Sequence, residues 1–171
     1  MSARRAIVMA LTVLGLGVAA PTPALATLSL TEIGSPTFSA NLNSGDTTPT
    51  YTVALTAADT STGTSAGWKL TITSTQLTAG THTLSTTASK VTAVTSSCST
   101  ICTVNPTNSV TYPVTVPAGA GPPTAVKFFN AAANTGQGTF AVTPTIKVTV
   151  PQDSFAGSYT STLTLAIVSG P

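Results

Sequence analysis

The sequence predicts an all-β protein, an antiparallel β-sandwich folded as one domain. Three observations predict it. Thr supplies 35 of the 145 residues from Thr27 to Pro171, interleaved with Val, Ile and Leu. A β-branched polar side chain suits the solvent face of a pleated strand and disfavours a helix. Apolar residues then recur at every second position in several separate runs, the period of a strand with one buried face. Gly- and Pro-rich stretches with turn chemistry separate the runs. Such patterning fits a sandwich or a barrel and leaves the strand order open.

The elements follow in chain order. Arg4 and Arg5 precede an apolar stretch from Ala6 to Ala20, Pro21 and Pro23 break it, and Ala24-Leu25-Ala26 offers the small residues a signal peptidase reads. Residues 1–26 therefore read as a secretory signal peptide cut between Ala26 and Thr27, leaving 27–171 as the mature domain. No second apolar run of spanning length follows, so the mature chain is expected to have no membrane span. Leu28 to Ile33 and Phe38 to Leu42 are short strand candidates. Tyr51, Val53, Leu55 and Ala57 alternate with Thr52, Ala54 and Thr56, and Thr60 to Gly67 is a loop. Trp68, Leu70 and Ile72 alternate with Lys69, Thr71 and Thr73 in the next strand. Val110, Tyr112, Val114 and Val116 form a run that Pro113, which lacks an amide hydrogen, demotes to an edge or bulged strand. Pro117 to Pro123 is turn-like, a short helix is expected around Phe129 to Ala133, and Asn134 to Gly138 is a turn. Phe140, Val142, Ile146, Val148 and Val150 form a long strand interrupted at Pro144. Tyr159, Leu163, Leu165 and Ile167 close the chain, opposite Thr160, Thr162 and Thr164.

Only 6% of the residues are charged. Both arginines lie in the leader, and Lys69, Lys90, Lys127 and Lys147 balance Glu32, Asp46, Asp59 and Asp153 in the mature chain. A neutral chain without arginine has no electrostatic footprint for nucleic acid or anionic lipid. Those partners are excluded.

Ala58-Asp59, a Gly/Ser/Thr loop, and then Gly67-Trp68-Lys69-Leu70-Thr71-Ile72-Thr73 resemble the first signature of WxL domains. Gly136-Gln137-Gly138-Thr139-Phe140 is similar to the Gly-rich turn before the family's closing block. Val150-Pro151 with Ala156-Gly157-Ser158-Tyr159-Thr160-Ser161-Thr162-Leu163-Thr164 resembles that block. The ordered set covers most of 27–171. The family's second W-x-L falls at Leu165-Ala166-Ile167, where Leu replaces Trp, which marks a divergent member. The resemblance implies a Gram-positive cell-surface protein attached non-covalently to the wall. Peptidoglycan or another wall polymer is the implied partner, with Trp68 and Leu70 as binding candidates; other surface proteins or copies of itself are further partners that the neutral strand edges, rather than the resemblance, suggest.

Read from the residues alone, Trp68 has two placements. It fills the space between sheets, as Trp does in immunoglobulin-type sandwiches, or it forms an exposed platform for a sugar ring. Tyr51, Tyr112 and Tyr159 each alternate in phase with aliphatics and so face the core. A binding face of Thr hydroxyls and backbone edges therefore competes with an aromatic one.

Cys98 and Cys102, an even pair in an exported chain, are expected to form a disulfide that pins a loop. A structural zinc site needs four ligands and the sole histidine is His82, so no metal is expected, and no cofactor. Catalysis finds little to work with. There is no Gly-x-Ser-x-Gly elbow for a serine triad, and no spacing pairs two of the four carboxylates for glycoside hydrolysis. Asp59 and Asp153 are expected to serve turns. Two non-enzymatic functions remain: a secreted wall-binding surface protein, or a self-assembling subunit of a surface layer or fibre whose neutral strand edges pair.

Overall fold

The computed structural model describes residues 28–42 and 45–171. The leader and the cleavage site at Ala26 and Thr27 lie outside the described residues. Twelve strands follow one another: β1 (Leu28–Ile33), β2 (Thr50–Thr52), β3 (Ala54–Asp59), β4 (Trp68–Thr75), β5 (Thr78–Ala79), β6 (His82–Thr83), β7 (Ser89–Thr100), β8 (Val114–Thr115), β9 (Ala118–Gly119), β10 (Val126–Ala131), β11 (Gly138–Val148) and β12 (Leu163–Ser169). Ten of them form a six-stranded sheet ordered β1-β3-β11-β7-β8, with β2 also on β11, and a four-stranded sheet ordered β10-β4-β12, with β9 on β4, while β5 and β6 pair as a two-stranded hairpin. The pairing is antiparallel except for the short β4–β9 contact. Among the described residues there is no helix, and hence none long and apolar enough to cross a membrane.

The sheets enclose one principal core. Trp68, Leu70 and Ile72 from β4 meet Leu55 and Ala57 from β3, Val91 from β7, Phe128 and Phe129 from β10, and Phe140, Val142 and Ile146 from β11. Alternation does this directly on β4 and β11, where every second side chain points inward. A second cluster of Leu84, Ala88, Val148 and Val150 lies at the far end of β11, with Phe38, Leu42, Leu77 and Tyr159 packed on it.

Three expectations are corrected. Phe129 to Ala133 is not helical; Phe129 to Ala131 end β10, and a bulge between Lys127 and Phe129 turns both Phe128 and Phe129 inward. Two adjacent buried aromatics broke the strand period and imitated a helical face. Phe38 to Leu42 is not a strand; it is a strap whose Phe38 ring stacks on Tyr51 at 5.5 Å. The run from Val110 to Val116 lies at the sheet edge as expected, with Val114–Thr115 as the strand paired on β7, and the third correction falls at Pro144.

Pro144 does not interrupt its strand. It lies within β11 opposite Val94 of β7, and its carbonyl accepts the Val53 amide on the other side. In an antiparallel ladder a residue's N–H and C=O face the same neighbour, so the missing Pro144 donor faces Val53. The break falls there instead: Val53 separates β2 from β3.

Candidate functional site

The sequence motifs converge at one end of the sandwich. β3 and β11 bring Asp59 opposite Gly138, and β4, β10 and β12 bring Trp68 beside Ala131 and Ser169. Three loops, 60–67, 101–109 and 132–137, meet there and are tied by buried polar groups. The Asp59 carboxylate accepts from the Ser61 amide at 2.9 Å and from Ser65 Oγ at 3.0 Å. Asn134 Oδ1 accepts the Ser65 amide, and Gln137 Nε2 donates to the Gly63 carbonyl at 2.9 Å. These bonds hold the Gly/Ser/Thr loop against the Gly-rich turn, a structural role for Asp59.

Trp68 is fully buried at the centre of this knot. Its indole Nε1 donates to the Gly136 carbonyl at 2.9 Å, and its ring meets Phe129 at 5.8 Å between centroids. Gly136 has φ +72°, and a Cβ there would lie 2.6 Å from the Ala131 Cβ and 2.8 Å from the indole nitrogen. Only glycine lets the turn come this close to the indole. Leu70 is also fully buried, opposite Phe129 on β10 and Ile167 on β12. Neither Trp68 nor Leu70 presents surface to a polymer.

The strand bearing Leu165-Ala166-Ile167 lies antiparallel beside β4, so the two motif segments are neighbours: Leu165 faces Ile72 and Ile167 faces Leu70. Because Gly170 donates to Gly67 and Thr75 to Thr162, the pairs at Leu165 and Ile167 are the non-hydrogen-bonded ones. Side chains are closest at such pairs. A leucine suffices at the first position because it packs on the flank of the core, partly buried, rather than at its centre.

Cys98 and Cys102 are disulfide-bonded, with Cα atoms 5.9 Å apart. The bond closes the end of β7, where Ile101 takes a left-handed φ of 48° and is 88% exposed. Gly138 packs against this loop: a Cβ there would sit 2.7 Å from the Cys102 Cα.

The opposite end is built differently. Ser74 on β4, six residues beyond Trp68 and so about 20 Å along the strand, lines an open groove of about 1130 Å³. The strap from Ser35 to Leu42 and the segment from Ser154 to Leu163 form its walls, and Tyr51, Leu77, Leu84 and Val150 reach it from below. His82 and Phe155 stand on this rim, stacked at 4.0 Å between centroids with 7° between ring planes. The Tyr51 hydroxyl is pushed up to about 12, first by burial and then by the Glu32 carboxylate, so it remains a neutral phenol. Of these residues the alternation pattern had marked Tyr51 and Tyr159 as core-facing, and both are indeed partly buried. Phe155 gave no periodic signal, and within the strap Phe38 to Leu42 read as a strand candidate.

Asp46 also serves a turn, accepting the Gln152 amide at 2.8 Å. No group of three or more His, Cys, Asp or Glu side chains is placed to hold a metal among the described residues. Residues 28–171 match the family model described as WxL domain, surface cell wall-binding. No curated protein and no solved structure matches the chain.

Proposed function

The chain belongs to the WxL family of surface, cell-wall-binding domains, and from that premise we propose that it is exported, loses residues 1–26, and attaches non-covalently to peptidoglycan without catalysing a reaction. The observation that carries this reading is the match over nearly the whole described chain, which leaves no room for a separate catalytic domain within 28–171. Two of the four carboxylates support it: Asp59 and Asp46 are spent on the turns they hold. His82 is exposed and packed against a phenyl ring rather than aligned with a nucleophile. Insoluble peptidoglycan incubated with the purified mature chain tests both halves. The protein is expected in the pellet, with no soluble sugar or peptide fragment released into the supernatant. Protein left in the supernatant refutes attachment, and released fragments refute the non-catalytic part.

A second reading rests on β12. It ends its sheet, and the backbone of Leu163, Leu165, Ile167 and Ser169 faces away from β4, with no strand paired to that edge among the described residues. No charged side chain guards that edge. Pairing of copies through β12 would give a layer or fibre, seen as growth of particle size with concentration in light scattering without wall material.

A further inference from the structure

We propose that the groove between the Ser35–Leu42 strap and the Ser154–Leu163 segment is the wall-binding site, and that it takes the neutral glycan strand of the wall. This rests on the wall-binding reading above and adds where the polymer sits and which part of it is held.

Four features carry the assignment. The first is size: about 1130 Å³ exceeds the usual range for small-molecule pockets and gives room for a polymer segment between the two walls. The second is a fixed aromatic surface. Phe155 is 56% exposed and lines the groove, while His82, which does not line it, covers the phenyl ring by stacking. The Tyr159 hydroxyl donates to the Phe155 carbonyl at 3.1 Å, and mutual Thr78–Thr160 backbone bonds of 3.0 and 2.9 Å tie the segment to the sandwich. An aromatic face is electron-rich and receives the weakly positive C–H face of a sugar ring. A ring already held in place loses little freedom on binding.

Hydroxyls are the third feature. Ser35, Thr37 and Ser39 on one wall and Ser158 and Thr160 on the other are exposed, and hydroxyls both donate and accept, which matches the hydroxyl and amide groups of a sugar chain. Charge is the fourth. Glu32 is the one residue charged at neutral pH among the lining residues, and no Lys or Arg lines the groove. A phosphate-rich wall polymer is recognised by cations and would meet only a carboxylate here. The neutral strand is the polymer component that fits.

The test uses the mature chain and three probes: neutral oligomers of β-1,4-linked N-acetylglucosamine as the glycan strand, free stem peptides, and a polyol-phosphate polymer, each titrated by calorimetry beside a pull-down on intact peptidoglycan. Glycan strands are expected to bind and the other two not to. Phe155→Ala, at an exposed position, should weaken glycan binding by about tenfold or more, the scale of losing one aromatic stacking platform. His82→Ala, which frees the ring without removing it, should give a smaller loss. Ile101→Ala, exposed at the opposite end, should bind as wild type, and circular dichroism should show all three variants folded. If intact peptidoglycan is bound by wild type and Phe155→Ala alike, the groove assignment is overturned while attachment stands. Binding to stem peptide or phosphate polymer instead of glycan overturns the ligand assignment. If wild type binds no wall material, both readings fall.

Discussion

Trp68 separates an interior role from a contact role, because it is fully enclosed and is the chain's sole tryptophan. Truncation to alanine removes a buried indole and leaves a cavity, at a cost of about 3–5 kcal/mol. Trp68→Phe keeps most of the apolar volume but orphans the Gly136 carbonyl, which costs about 1–3 kcal/mol. With a urea dependence of about 2 kcal/mol per molar for a small domain, the alanine variant should unfold at a midpoint about 1.5–2.5 M lower. The phenylalanine variant should fall about 0.5–1.5 M lower with the slope unchanged. The assay is urea unfolding followed by far-ultraviolet circular dichroism, since both variants lose the indole fluorophore. Wild-type fluorescence supplies an independent check: a buried indole should be shielded from iodide. Folded Trp68→Phe should pellet with peptidoglycan as wild type does, because the groove lies at the other end. Midpoints within about 0.3 M of wild type for the alanine variant, or ready iodide quenching of the wild-type protein, would refute the enclosed placement.

The remaining expectations concern the same framework. Gly138→Ala should be strongly destabilising, because φ is +117° and a Cβ would collide with the Ile101 carbonyl and the disulfide loop; a large drop in the thermal midpoint, read by calorimetry, checks it. Cys98→Ser/Cys102→Ser should cost only about 2 kcal/mol, since the closed loop is short, and should leave the strand spectrum intact. Stability should decline as pH rises from about 10 towards 12, because Tyr51 keeps its proton in the fold after the unfolded chain has lost its own. That contribution is fully present below pH 10, and of order 2 kcal/mol is lost across the window. Tyr51→Phe should flatten the decline, leaving the smaller drop from Tyr112, whose hydroxyl burial also raises; an unchanged slope in urea midpoints against pH would count against the assignment.

Much of the sandwich was legible where strands are regular and opaque where they are bulged. β3, β4 and β12 carry simple alternation and declare their inward faces. β7 does not, although it is the longest strand. Thr92 is skipped in its pairing with β11, Thr145 facing Ala93 and Ile146 facing Val91, so Val91 and Val94 both turn inward at an odd spacing. The bulge at Phe128 conceals β10 in the same way. Each bulge adds one residue and reverses the parity on which a period-two reading depends. The tie between Asp59, Ser65 and Asn134 was half visible: the acid next to a Ser/Thr/Gly loop suggested a turn, but its partner lies 69 residues beyond Ser65. The groove was not legible as a site: Phe38 to Leu42 and the stretch from Tyr159 to Leu163 read as strands, whereas both walls are largely irregular segments whose shape is set by what they pack on rather than by local period.

Why a family signature should be enclosed while the proposed attachment groove lies elsewhere follows from what this composition can supply. A chain so rich in Thr has few large side chains with which to fill a core. One indole fixed by a hydrogen bond and a glycine contact therefore does much of the filling where three loops meet. That demand is strict, so it produces a readable motif. Attachment demands less of any one residue. A wall presents its repeating polymer many times over, so a site of modest affinity suffices when rebinding is frequent. Residues 27–171 carry four Lys against four acids, so for them long-range attraction to an anionic wall contributes little, and the proposed adhesion comes from short-range contact. Exposed hydroxyls beside an aromatic ring meet that need without any fixed spacing in the sequence, and contacts of this kind persist in salt that would screen an ion pair.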